Sequence, residues 1–190
     1  MRHQQTQALL NYWRHERGEQ SAPQKAEIAP KDIKSHLAFA FLLKRTATDR
    51  YTFALAGTGL CDLFGRELRD QSFVHLWSES SRDSVTTSLA RVSNLSVPTV
   101  SVCIAETSDQ RPLSNEMLLL PYASTNGEAN WILGHFQPLE PLSRLYGRKL
   151  VRMRMGTTAI LTGDAHGPTA IGFADTKRST SHLRVVSVQL

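Results

Sequence analysis

The sequence predicts an α+β domain: an antiparallel sheet with short helices on one face, preceded by an N-terminal amphipathic helix. Three observations predict it. Five short stretches carry strand-like apolar patterning, and they fall as a pair and then a trio. Between the two groups lie Gly-punctuated helical turns and one longer helical stretch. Two strands cannot bury an apolar face alone, so the later three must complete the same sheet, with the helices laid across it.

The elements follow in order. Residues 6–18, TQALLNYWRHERG, put Leu9, Tyr12 and Trp13 at helical spacing, with Gly18 placed to stop the helix. Pro23 and Pro30 mark residues 20–33 as an extended linker. Residues 37–43 form an apolar strand, ATDR turns it, and Tyr51, Phe53 and Leu55 alternate along a second. Broken helical turns occupy 57–77, interrupted by Gly65. Ser80 with Asp83 resembles a capping box for a helix over 81–95, where Val85, Leu89 and Val92 share a face. Strands follow in PTVSVCIAE, NEMLLLPYAS and ANWILGHFQ, the last two joined by the turn signal TNGE. Residues 1–30 are thus helix and linker, 31–140 the domain, and 141–190 a C-terminal extension.

Composition excludes several classes. Apolar residues make up 41% of the 190, enough for a core. No run of about 18 apolar residues exists to cross a bilayer. The opening Met1-Arg2-His3-Gln4-Gln5 lacks a signal peptide's apolar stretch, so a cytoplasmic location is expected. Cys61 and Cys103 are expected to be free thiols there. From Arg144 onward there are eight Lys/Arg against two Asp/Glu, so the extension is basic while the body is neutral.

GTGLCDLFGREL, residues 57–68, looks like a phosphate loop but lacks the third glycine of a dinucleotide fingerprint and the Gly-Lys-Ser/Thr of a P-loop. Its glycines read as architectural, letting a strand turn sharply. The same segment carries a family resemblance. Leu63-Phe64-Gly65, Glu67-Leu68, Phe73 and Leu76-Trp77, with the order strand–strand–helices–strand–strand–strand, resemble the PAS sensor fold. More narrowly, the chain resembles a small, chiefly alphaproteobacterial PAS family of unknown function. Tyr12-Trp13, Pro23, Ala56-Gly57-Thr58, Phe64-Gly65-Arg66-Glu67-Leu68, Ser72-Phe73, Leu118-Leu119-Leu120-Pro121 and Leu133-Gly134 carry that likeness. Lys25 departs from it, standing where an arginine is expected.

The resemblance implies a PAS-like five-stranded sheet and a sensory or regulatory module. Its interior would be lined by Phe64, Trp77, Val85, Leu89, Val102 and Trp131, a pocket for a small ligand or a filled core. Catalysis is not expected. The seven histidines are scattered, and neither an HExxH helix, a Cys/His metal spacing nor a nucleophile elbow occurs. No metal and no cofactor are expected. Cys61 lacks the polar neighbours that hold flavin in light-sensing relatives, and residues 81–95 hold no histidine for haem. Action through an unknown signalling partner protein is expected. A homodimer would form through the N-terminal helix, whose Leu9, Leu10, Tyr12 and Trp13 must cover something. Nucleic acid is not expected, since aromatics do not interleave the basic residues. The alternative is a cyclic-dinucleotide effector. There Arg144 and Arg148, on one face of a helix, would fork two phosphates of a nucleotide ligand.

Overall fold

The computed structural model describes residues 1–124, 127, 129–161 and the backbone of 169–171. Helix α1 (Gln4–Arg17) stops at Gly18, whose φ of 53° suits a residue without a Cβ. The linker pairs briefly with the sheet, Gln24 bridging to Ala123, and a 3₁₀ turn (Lys34–Phe39) leads into strand β1 (Ala40–Ala47). β2 (Arg50–Ala56) returns antiparallel, and α2 (Thr58–Phe64) follows at once. A Cβ on Gly57 would lie 2.0 Å from the Leu37 carbonyl oxygen, so only glycine admits this close backbone crossing. The architectural reading of the segment holds.

α3 (Glu79–Leu95) begins earlier than expected. Its N-cap is Ser78, whose hydroxyl reaches those of Ser80 and Ser81 at 3.2 and 3.1 Å, so Ser80 and Asp83 form no capping box. β3 (Thr99–Thr107), β4 (Pro112–Tyr122) and β5 (Trp131–Pro138) complete the expected trio. The sheet then continues past residue 140. β6 (Leu150–Ile160) pairs with β3, and β7 (Thr169–Ile171) pairs with β6, giving the antiparallel order β2-β1-β5-β4-β3-β6-β7.

β6 carries the domain past the boundary expected at residue 140 and makes part of the basic extension a strand of the sheet. Leu145, Leu150 and Met153 enter the main core, while Arg152 and Arg154 hold the buried Glu106 of β3 at 2.9 and 2.8 Å. β6 also fastens the helical layer to the sheet. Ser78 N–H donates to the Met153 carbonyl (2.8 Å), and Met155 N–H donates to Ser81 Oγ (3.0 Å).

The sheet separates two cores. On its inner face α2, α3 and the 3₁₀ turn at Phe73–Leu76 pack over Phe41, Leu43, Phe53, Cys103 and Phe136. On its outer face α1 and the linker cover Leu42, Val100, Leu118, Leu120, Tyr122 and Leu133.

Candidate functional site

The six interior candidates do not converge. Phe64, Trp77, Val85 and Leu89 lie in the inner core, all at most 6% exposed. Phe41, Phe53, Phe73 and Trp77 form a contiguous aromatic chain there, with centroids 5.4–5.8 Å apart. Trp131 is on the opposite face. The pleat decides this: Ile132 and Phe136 point inward, so Trp131, Leu133 and His135 point outward. Val102 is half-buried and belongs to neither core. Cys61 packs in α2 beside Leu60, Leu63 and Phe64, and Cys103 is a fully buried free thiol whose pKa burial pushes up to about 12.

The outer face carries the unusual chemistry. Its apolar patch is covered by Leu9, Leu10 and Trp13 of α1, and the Trp13 indole N–H donates to the Pro121 carbonyl at 2.8 Å. At the start of α1, Glu116 of β4 is 1% exposed, and its carboxylate accepts from the backbone N–H groups of Arg2 (2.6 Å) and His3 (3.2 Å). A carboxylate at a helix N-terminus meets unpaired amides and the positive end of the helix dipole, so Glu116 latches α1 to the sheet.

Two buried histidines lie beneath the same turn. The rings of His36 and His135 meet edge to face, 5.1 Å apart. His36 Nε2–H donates to the Gln5 carbonyl (3.0 Å), and Nδ1 lies 3.2 Å from Ser35 Oγ. His135 Nδ1 has no hydrogen-bond partner among the described residues. Burial, then the charges of His36 and His3, lower the His135 pKa to about 3. Glu116, His36 and His135 together make the base of α1 a buried polar junction. Among the described residues no cluster of His, Cys, Asp or Glu could hold a metal.

The sequence offered weak signals for this junction. Glu116 opens a strand otherwise rich in leucine, and His135 interrupts an apolar one, yet neither shows which helix end it meets.

Arg144 and Arg148 are not on a shared helix. A 3₁₀ turn (Leu142–Leu145) ends at Tyr146, whose φ of 50° turns the chain before Arg148. Arg144 pairs with Glu140, and Arg148 pairs at 2.9 Å with Asp109, which it shares with Arg111, so each guanidinium already meets a carboxylate.

A helix latched to one face of an antiparallel sheet, with a second helical layer on the other, makes this a layered α+β domain. A family model described as PAS domain matches residues 1–137, and the chain belongs to the PAS domain family. Membership places it among sensory, generally non-catalytic modules. No curated protein matches it. Among solved structures it is similar to the Rhodobacter sphaeroides LOV protein, with 12% identity, 62% of this chain and 72% of that one covered, and a TM-score of 0.46. The dark structure of the Aureochrome1 LOV photoreceptor gives 11%, 61%, 86% and 0.46. A variant of RsLOV gives 14% and 0.45, aligned over 56% of this chain, which spans only 62% of that structure's length. No helix among the described residues is long and apolar enough to cross a membrane.

Proposed function

We propose that the chain is a non-catalytic PAS-type regulatory module that acts through protein–protein contacts, with a small ligand as modulator. One observation carries this reading: α1 is an amphipathic helix whose apolar stripe is buried on the sheet, with its first turn latched to a single carboxylate. Release of the latch exposes Leu9, Leu10 and Trp13 together with the sheet patch beneath them. Such a paired apolar surface suits a partner protein or a second copy of this chain. The inner core, with its contiguous aromatic chain, gives a rigid platform for that exchange. The setting is cytoplasmic in this reading, in keeping with two free thiols.

Glu116→Gln tests it. The variant keeps the side chain's shape but loses the charge that holds the helix. We expect faster hydrogen exchange across residues 4–10 and a rise in self-association by light scattering. If the helix loosens while mass and partner binding stay those of the wild type, the reading fails.

The cyclic-dinucleotide alternative has less behind it, because both guanidinium groups are engaged. Calorimetry with a cyclic dinucleotide decides it: binding that Arg148→Ala abolishes would restore that reading, and absence of heat removes it.

A further inference from the structure

The linker between α1 and β1 lies along the outer face of the sheet and borders two recesses, one beside residues 24–26 and the other beside residues 28–33. One recess, about 270 Å³, is apolar. Ile28, Pro30 and Ile33 of the linker form one wall, Leu42 and Leu133 the floor, and Leu37 and Leu55 the far side. Leu55 is 56% exposed and Leu37 39%, an unusual pair of large apolar side chains left to water. The other recess, about 520 Å³, is lined by Lys25, Lys44, Ser124 and Trp131. Here Lys25 Nζ lies 3.9 Å from the centre of the Trp131 ring and Lys44 Nζ 5.7 Å from it. Two ammonium groups thus share one indole, and neither meets a carboxylate among the described residues.

The two recesses belong to one stripe. β1 and β5 pair Leu42 with Leu133 and, two residues on, Lys44 with Trp131. Side chains two apart on a strand share a face and stand about 7 Å from each other. An apolar groove therefore runs beside two positive charges that meet no carboxylate among the described residues. We propose that this stripe binds a single-chain amphiphilic carboxylate, its hydrocarbon tail along Leu37, Leu42, Leu55 and Leu133 and its head between Lys25 and Lys44.

The charge pattern selects the ligand. Both lysines line one recess, and an anion bound there offsets the repulsion of their like charges. The size of the exposed patch favours a small molecule over a protein. A stable protein interface buries about 800 Å² on each side, far more than two exposed leucines offer. Ligand binding also has a route to α1. The linker touches both recesses, and its Ala29 N–H donates to Tyr12 Oη of α1 at 3.2 Å. This inference rests on the regulatory reading above and names the modulator for it.

Calorimetry on the full chain tests it, with dodecanoate kept below its micellar concentration. One dodecanoate per chain is expected, with hexanoate at least about tenfold weaker and dodecyltrimethylammonium weaker still. Lys25→Glu with Lys44→Glu should weaken dodecanoate at least about tenfold. Leu55→Asp should do the same, whereas Leu95→Asp, an exposed leucine at the far end of α3, should change nothing. All these sites but the buried floor are exposed, so the variants keep the fold. Equal binding of the cationic amphiphile, or indifference to the lysine reversals, overturns the proposal. So does binding to phosphatidylglycerol vesicles without uptake of free dodecanoate, which would make the stripe a membrane contact. Ligand-free dimerisation lost in Leu55→Asp would assign the groove to a second copy. None of these results bears on release of α1, which the Glu116→Gln variant reads separately.

Discussion

The two faces of the sheet solve the same burial problem with different chemistry. The inner face is closed by an aromatic chain and by a strand, β6, that ties the helices down. The outer face closes with one amphipathic helix, and places a carboxylate and two imidazoles under its first turn. Buried apolar contacts hold whatever the pH, while buried ionisable groups hold only in one protonation state. The inner face is therefore suited to permanence and the outer face to change. In a regulatory domain the face that can change is the one to probe.

The sharpest way to break this comparison is to treat two tryptophans alike. Trp77 is 2% exposed in the inner core, and Trp77→Ala removes a large side chain from a packed site. We expect a loss of about 3–5 kcal/mol in chemical denaturation, spread over the whole domain. A loss under about 1 kcal/mol would mean that the inner face is not the rigid one.

Acid is the next lever. His135 has a folded pKa of about 3 against an ordinary value near 6.5, so as pH falls the unfolded chain takes up the proton first. Its contribution is complete above about pH 6.5 and drains away as pH falls toward 3. By pH 5 the loss is about 2 kcal/mol. His135→Gln, measured beside wild type across that window, should flatten the difference. The loss should also appear first as exchange in α1, which packs over the ring pair. A domain-wide loss with no lead in α1 would show that the junction is not a separate unit.

Glu116→Gln comes third. Two charge-assisted hydrogen bonds at a helix start are worth about 1–2 kcal/mol, and the cost should stay local to α1. Hydrogen exchange at residues 4–10 reads it directly. Equal acceleration in α3 would erase the distinction between the two faces.

The inner face was the legible one. Apolar alternation along β1–β5, the Gly18 stop and the Val85-Leu89-Val92 face of α3 are local periodicities, and periodicity survives in a one-dimensional record. β6 was hidden by its charges, although Val151, Met153 and Met155 alternate with Arg152 and Arg154 as a strand requires. In the sequence those arginines only add to a basic extension, because their partner, Glu106, sits far off along the chain. Trp131 was assigned to the wrong face for a related reason. The stretch WILGHF is apolar on both sides, so patterning alone cannot say which side is inside. The latch at Glu116 and the His36–His135 pair depend on contacts between residues about a hundred positions apart, and no local rule carries them.

The smallest effect belongs to Trp131 itself. The ring is half-buried on the outer face, with Lys25 stacked on it from the linker. Trp131→Ala removes partly solvated area and one cation–π contact, and should cost only about 1 kcal/mol of global stability. Lys25→Ala should cost less, about 0.5 kcal/mol, because the charge is exposed and water replaces the ring. Both changes should nevertheless loosen the linker where Lys25 N–H donates to the Ala123 carbonyl. Faster exchange at Lys25 with an unchanged unfolding midpoint would place the linker in the mobile half of the molecule. Should Trp131→Ala instead cost as much as Trp77→Ala, the outer face is as rigid as the inner one, and a helix released from it ceases to be a plausible signal.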